Sequence, residues 1–111
     1  MKLITKKIEK ELEKYPLYSQ DNKGGDAICS AKFFYLGGAW TWYITEADLK
    51  TGELFGVTIN DSGDGEYGYL SLNELQNLKV NGFGVERDIT FEPTALKNIN
   101  DPYLKKFLDK F

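Results

Sequence analysis

A chain of 111 residues with 41% apolar and 14% aromatic side chains has the size and content for one domain around one core. Its formal net charge of −3 argues against a general nucleic-acid binder, which needs a basic surface to neutralise phosphates. Having no histidine and one cysteine excludes Ser-His-Asp catalysis, His-ligated or Cys-ligated zinc, an imidazole switch and an internal disulfide.

Along the chain, Ile4, Ile8, Leu12 and Tyr15 recur at helical spacing among charged residues, predicting an amphipathic helix over 1–15 that Pro16 ends. No apolar run of signal-peptide or membrane-spanning length appears, so a soluble, cytoplasmic protein with no membrane partner is expected. The polar stretch 19–26, with Gly24-Gly25, reads as the most flexible loop. Two aromatic-rich strands, 27–36 and 40–47, follow. They are joined at Gly37-Gly38, a pair suited to the positive φ of a tight hairpin. A third strand over 53–60 follows the turn at Lys50-Thr51-Gly52. A fourth, 66–70, follows the turn at Asp61-Ser-Gly-Asp-Gly65. Ser71 and Glu74 form a capping box that starts a short helix near 72–78. Gly82-Phe83-Gly84 breaks the chain before a fifth strand, 85–92, stopped by Pro93. Asp101-Pro102 then opens a helix over 101–111, whose Tyr103, Leu104, Phe107, Leu108 and Phe111 form a wide apolar stripe. Short strands with brief turns predict an α+β fold. It is a single domain over 1–111, with an antiparallel meander of about five strands in 27–92 and both terminal helices on one face.

Several residue groups invite a chemical reading. Trp40 and Trp42, two apart on a strand, share a face and offer an aromatic platform, although core packing beneath the helices explains them more simply. The opposite face, with Thr41, Tyr43 and Thr45, is then the candidate polar surface. Alternation over the fifth strand places Glu86, Asp88 and Glu92 on one face. With Glu46 they form an acidic constellation for Mg²⁺, Mn²⁺ or general acid–base work, against the plainer reading of a solvated face with ion pairs. Arg87 falls on the apolar face, where pairing with an acid such as Glu46 or anchoring an anion accounts for it. Asn60-Asp-Ser-Gly-Asp-Gly65 imitates the start of an EF-hand, but Ser71 stands where a bidentate Glu is required, so a hairpin turn is expected. Cys29, with no base nearby in sequence, reads as a buried structural thiol.

The pieces Ala31-Lys-Phe-Phe34, Trp40-Thr-Trp-Tyr-Ile-Thr-Glu46, Leu54-Phe-Gly56, Glu66-Tyr-Gly-Tyr-Leu-Ser-Leu-Asn-Glu-Leu75 and Val85-Glu-Arg-Asp-Ile-Thr-Phe-Glu-Pro93 carry a resemblance over about residues 15–97. Together they resemble the domain of unknown function family 2958, a small bacterial domain often encoded on plasmids and conjugative transposons. The resemblance implies an accessory protein of a mobile genetic element and no reaction. The leading expectation is a non-enzymatic interaction module, without cofactors, that binds another protein rather than nucleic acid. Its contact residues would be Tyr43, Tyr67, Tyr69, Glu86, Arg87 and Asp88. The alternatives are a metal-dependent hydrolase or nuclease using Glu46, Glu86, Asp88 and Glu92, and an acidic decoy of a DNA-binding host protein. Oligomeric state is not specified by any of these features.

Overall fold

The chain is described here by a computed structural model covering residues 2–110. It is α+β, with helices α1 (Lys6–Leu12), α2 (Leu72–Asn77) and α3 (Pro102–Leu108). The strands are β1 (Ile28–Cys29), β2 (Ala31–Tyr35), β3 (Thr41–Asp48), β4 (Glu53–Ile59), β5 (Gly65–Ser71), β6 (Lys79–Val80), β7 (Phe83–Arg87) and β8 (Thr94–Ala95). Six of them form an antiparallel sheet in the order β5-β4-β3-β2-β7-β6, while β1 and β8 pair apart from it. The sheet has one strand more than about five because Val80 and Phe83 pair across Asn81-Gly82. Both turn residues have positive φ, 54° and 85°, the backbone of a type I′ hairpin.

Three strand expectations change in detail. The stretch 27–36 is two strands, since β1 pairs with β8 whereas β2 lies between β3 and β7. The fifth strand starts earlier and stops at Arg87, because the Asp88 carboxylate accepts from the Thr90 amide at 3.0 Å and its hydroxyl at 2.8 Å, turning the chain. Neither Gly37 nor Gly38 has positive φ. A Cβ at Gly37 would lie 2.5 Å from the Tyr35 hydroxyl, so any other residue there has to displace that ring.

The terminal helices cover opposite faces of the sheet, not one face as expected. Trp42 and Ile44 pack with Phe33, Leu54 and Leu12 on the α1 side. Tyr43, Val57 and Ile59 pack with Leu96, Leu104 and Phe107 on the α3 side. The reason lies in β3, where every residue from Trp42 to Ala47 is buried. A strand apolar on both faces needs cover on both, and each large side chain removed from water contributes about 1.5–3 kcal/mol.

Local chemistry sets the helix ends. The Thr5 hydroxyl caps α1 by accepting from Ile8, and α1 ends at Leu12, before Pro16. The Ser71 hydroxyl accepts from the Glu74 amide at 3.2 Å to start α2. Asp101 caps α3 through the Tyr103 and Leu104 amides, with Pro102 in the first turn. Phe111, expected to extend the last apolar stripe, lies outside the described residues.

Candidate binding surface

The α3 side of the sheet ends in a ledge built by one irregularity in β3. The β3–β4 register shifts between Ile44 and Glu46, so Glu46 stands opposite Phe55, on the same face as Tyr43 and Val57. Glu46 is only 2% exposed, and its two carboxylate oxygens accept from the Tyr18 amide at 2.8 Å and the Gln20 amide at 2.7 Å. Gln20 is buried too. Its side-chain amide donates to the carbonyls of Ile28 at 2.9 Å and Thr45 at 2.8 Å, and its oxygen accepts from the Ile28 amide at 2.6 Å. The Ala47 amide donates to the Tyr15 carbonyl at 3.1 Å and ties the start of the loop to β3. The segment expected to be most flexible is therefore anchored at its start, where Gln20 is held to Ile28, Thr45 and Glu46 by buried and part-buried hydrogen bonds. Tyr18 at φ 75° and Asn22 at φ 65° take the left-handed backbone that lets it fold this tightly.

Between the loop and the sheet is a cleft of about 600 Å³, lined among others by Gln20, Lys23, Glu46, Phe55, Tyr67 and Leu108. Beside it runs an aromatic series. Phe107 packs on Tyr67 at 5.3 Å between ring centres, Tyr67 stacks on Phe55 at 5.8 Å, and Phe55 meets Tyr69 edge-on at 5.1 Å. Tyr69 in turn meets Tyr18 edge-on at 6.5 Å. The series runs from core to water: Tyr69 is 50% and Tyr18 64% exposed. A hydrogen bond with the Tyr18 phenol, reinforced by partial desolvation and the nearby charges of Tyr18, Glu53 and Asp21, pushes the Tyr69 phenol up to about 12. Tyr69 is thus a neutral hydrogen-bonding ring at physiological pH. It stands on β5, whose outer edge pairs with no strand among the described residues.

Of the residues expected to bind, the structure brings Tyr67 and Tyr69 to this ledge. Tyr43, expected on an accessible polar face, is 1% exposed. Its hydroxyl donates to Asp101 at 2.6 Å, and burial first, then Asp101, drives its acidity far below that of a free phenol. Thr45 is buried with it. Glu86, Arg87 and Asp88 belong to the far side of the sheet, on and just after β7. The Arg87 guanidinium donates to the Lys2 carbonyl. By register it shares the α1 face with Phe33, away from Glu46, its expected partner. Asp88 lies 3.7 Å from Lys32. Partial burial works to raise its pKa, but the Thr90 hydroxyl and amide and the Lys32 charge outweigh it and hold the carboxyl below the usual range.

The acidic constellation does not assemble. Glu46 is committed to the loop, and Glu92 pairs with Lys7 at 3.0 Å. Among the described residues no three acidic or cysteine side chains gather closely enough to hold a metal ion. Trp42 is core, and Trp40 stacks on it at 6.2 Å. Asn60 is the hinge of the β4–β5 hairpin, accepting from the Ser62 and Asp64 amides, both at 3.0 Å. The Cys29 thiol is fully buried and donates to the Ala31 carbonyl. Desolvation pushes it up to about 12, as a structural thiol requires.

No helix among the described residues is long and apolar enough to cross a membrane. Comparison with curated proteins and with solved structures gives no match. The profile of the family described as "Protein of unknown function (DUF2958)" matches residues 3–100, which takes in α1 as well as the sheet and leaves α3 outside. With nearly the whole chain covered, the protein belongs to the DUF2958 family.

Proposed function

We propose that this protein is a binding module for another protein, without catalytic chemistry of its own, serving as a cytoplasmic accessory factor of a mobile genetic element. The mobile-element reading is supported by the family resemblance, and the cytoplasm is proposed as the compartment that goes with it. The binding role rests on one observation: two exposed, edge-on tyrosines meet at one place, Tyr69 on β5 and Tyr18 on a loop that buried Glu46 and Gln20 lock in place. Large rigid rings with a polar tip, fixed before a partner arrives, supply contact area at little ordering cost. Tyr67, behind them in the cleft, extends the same surface.

The test is affinity purification of tagged protein from its native host, wild type beside a Tyr18→Ala/Tyr69→Ala variant. A stoichiometric partner is expected with the wild type and absent with the variant. A partner kept by the variant, or none with either, contradicts the proposal.

A further inference from the structure

The two edges of the main sheet are built differently. β6 is two residues long, carries Lys79, and ends at once in the Asn81-Gly82 turn. Short length and lysine are the ordinary devices that keep an edge from pairing with another chain. β5 has neither. It is Gly65-Glu-Tyr-Gly-Tyr-Leu-Ser71, seven residues paired with β4 in unbroken register, with no lysine, proline or bulge. Alternate backbone amides and carbonyls of such a strand point outward, ready for a further ladder. Gly68, at its middle, has no neighbour closer than 3.9 Å to where a Cβ would stand, so packing within the chain does not call for glycine there. Glycine inside a strand commonly marks the close approach of another backbone.

Charge then selects what approaches. Residues 51–78, which contain β4, β5 and α2, hold five acids, Glu53, Asp61, Asp64, Glu66 and Glu74, and no lysine or arginine, although the whole chain has 14. All five are exposed, and Asp21 beside the ledge is exposed as well. The charges of Glu53 and Asp21 are felt at Tyr69. A residue on an added strand opposite Tyr69 would share its face, about 5 Å away between Cβ atoms. A lysine or arginine at that position would lie along the Tyr18 and Tyr69 rings, where cation–π attraction and the two carboxylates act together.

Resting on the protein-binding reading above, we infer that the β5 edge takes a basic, extended segment of the partner as a seventh strand, with a lysine or arginine seated against Tyr18 and Tyr69. Main-chain hydrogen bonds to β5 would supply affinity, and the rings and acids the preference for positive charge.

The test is an amide NMR titration of the full chain with an alternating Lys–Val decapeptide and, separately, its Glu–Val counterpart. The Lys–Val peptide is expected to shift amides along residues 65–71 and at Tyr18, to bind more weakly as salt rises, and to lose about tenfold or more in affinity to a Glu53→Lys/Glu66→Lys protein. Should that variant not fold, Glu53→Gln/Glu66→Gln asks the same question with a smaller expected loss. No shift with millimolar Lys–Val peptide, equal binding of the Glu–Val peptide, or shifts confined to other strands overturns the inference. If the peptide fails while the native partner is still lost from the Tyr18→Ala/Tyr69→Ala variant, the basic-strand inference falls and the binding module stands. If that variant keeps its partner, the binding module itself falls.

Discussion

The β5 and β6 edges of one sheet solve opposite problems. At β6 the strand is minimal, and its hairpin turn uses Asn81 and Gly82 in the left-handed region to reverse direction immediately. At β5 the strand is long and regular, and behind it a loop of unpromising composition is fixed by two buried polar side chains. A sheet that only needed to stay monomeric would have both edges built like β6. The contrast places the buried hydrogen bonds of Glu46 and Gln20 on the side of the sheet whose edge strand is long and unbroken.

Breaking that support should have the largest effect. Glu46→Ala removes the acceptor of two amides in a buried setting and is expected to cost about 2–4 kcal/mol by urea unfolding; a loss below about 1 kcal/mol would mean the loop is not held as described. Gln20→Ala, which strips three hydrogen bonds but leaves no charge unmatched, should cost about 2 kcal/mol by the same measurement. At the other edge, Asn81→Ala places alanine at positive φ and should cost about 1 kcal/mol, without changing amide spectra of β5. The smallest stability change, within about 1 kcal/mol, is expected for Tyr18→Ala/Tyr69→Ala, because both rings face water. The same pair should abolish partner capture, and that divergence between stability and binding sharpens the contrast.

The elements whose causes are local could be read from the sequence. Ser71 with Glu74, Asp101 with Pro102, and the turns at Gly52 and Gly63, with φ of 78° and 80°, each carry their signal within a few residues. Asn81-Gly82 carried one as well, but the glycines on either side of Phe83 suggested a chain break rather than a hairpin. The family was legible from short pieces of the strands, the start of α2 and the turn after β7, over about 15–97 against the 3–100 matched.

What escaped depends on long-range geometry. Alternation put Glu86, Asp88 and Glu92 in one row, but the side chain of Asp88 closes a turn that ends the strand. Alternation alone also misplaces Glu46, because the bulge at Thr45 resets the face. Nothing in the stretch 19–26 announces that Gln20 will be buried, since its partners, Ile28, Thr45 and Glu46, lie eight to 26 residues away. Tyr43 failed as a surface residue for a similar reason: strand alternation fixes which side chains share a face, and the distant α3 decides that this face is covered. Two of the ledge's three tyrosines, Tyr67 and Tyr69, are legible in the sequence; Tyr18 is not, because only the folded loop brings it 6.5 Å from Tyr69.

The most direct measurement places a photo-crosslinking phenylalanine analogue at position 69 in one protein and at position 80 in another, irradiates each in its host, and sequences the crosslinked peptides. Position 69, on the open edge, should yield one recurrent peptide bearing lysine or arginine, and position 80, on the closed edge, none in common with it. Capture of the same peptide from both positions, or from position 80 alone, would contradict β5 as the binding edge.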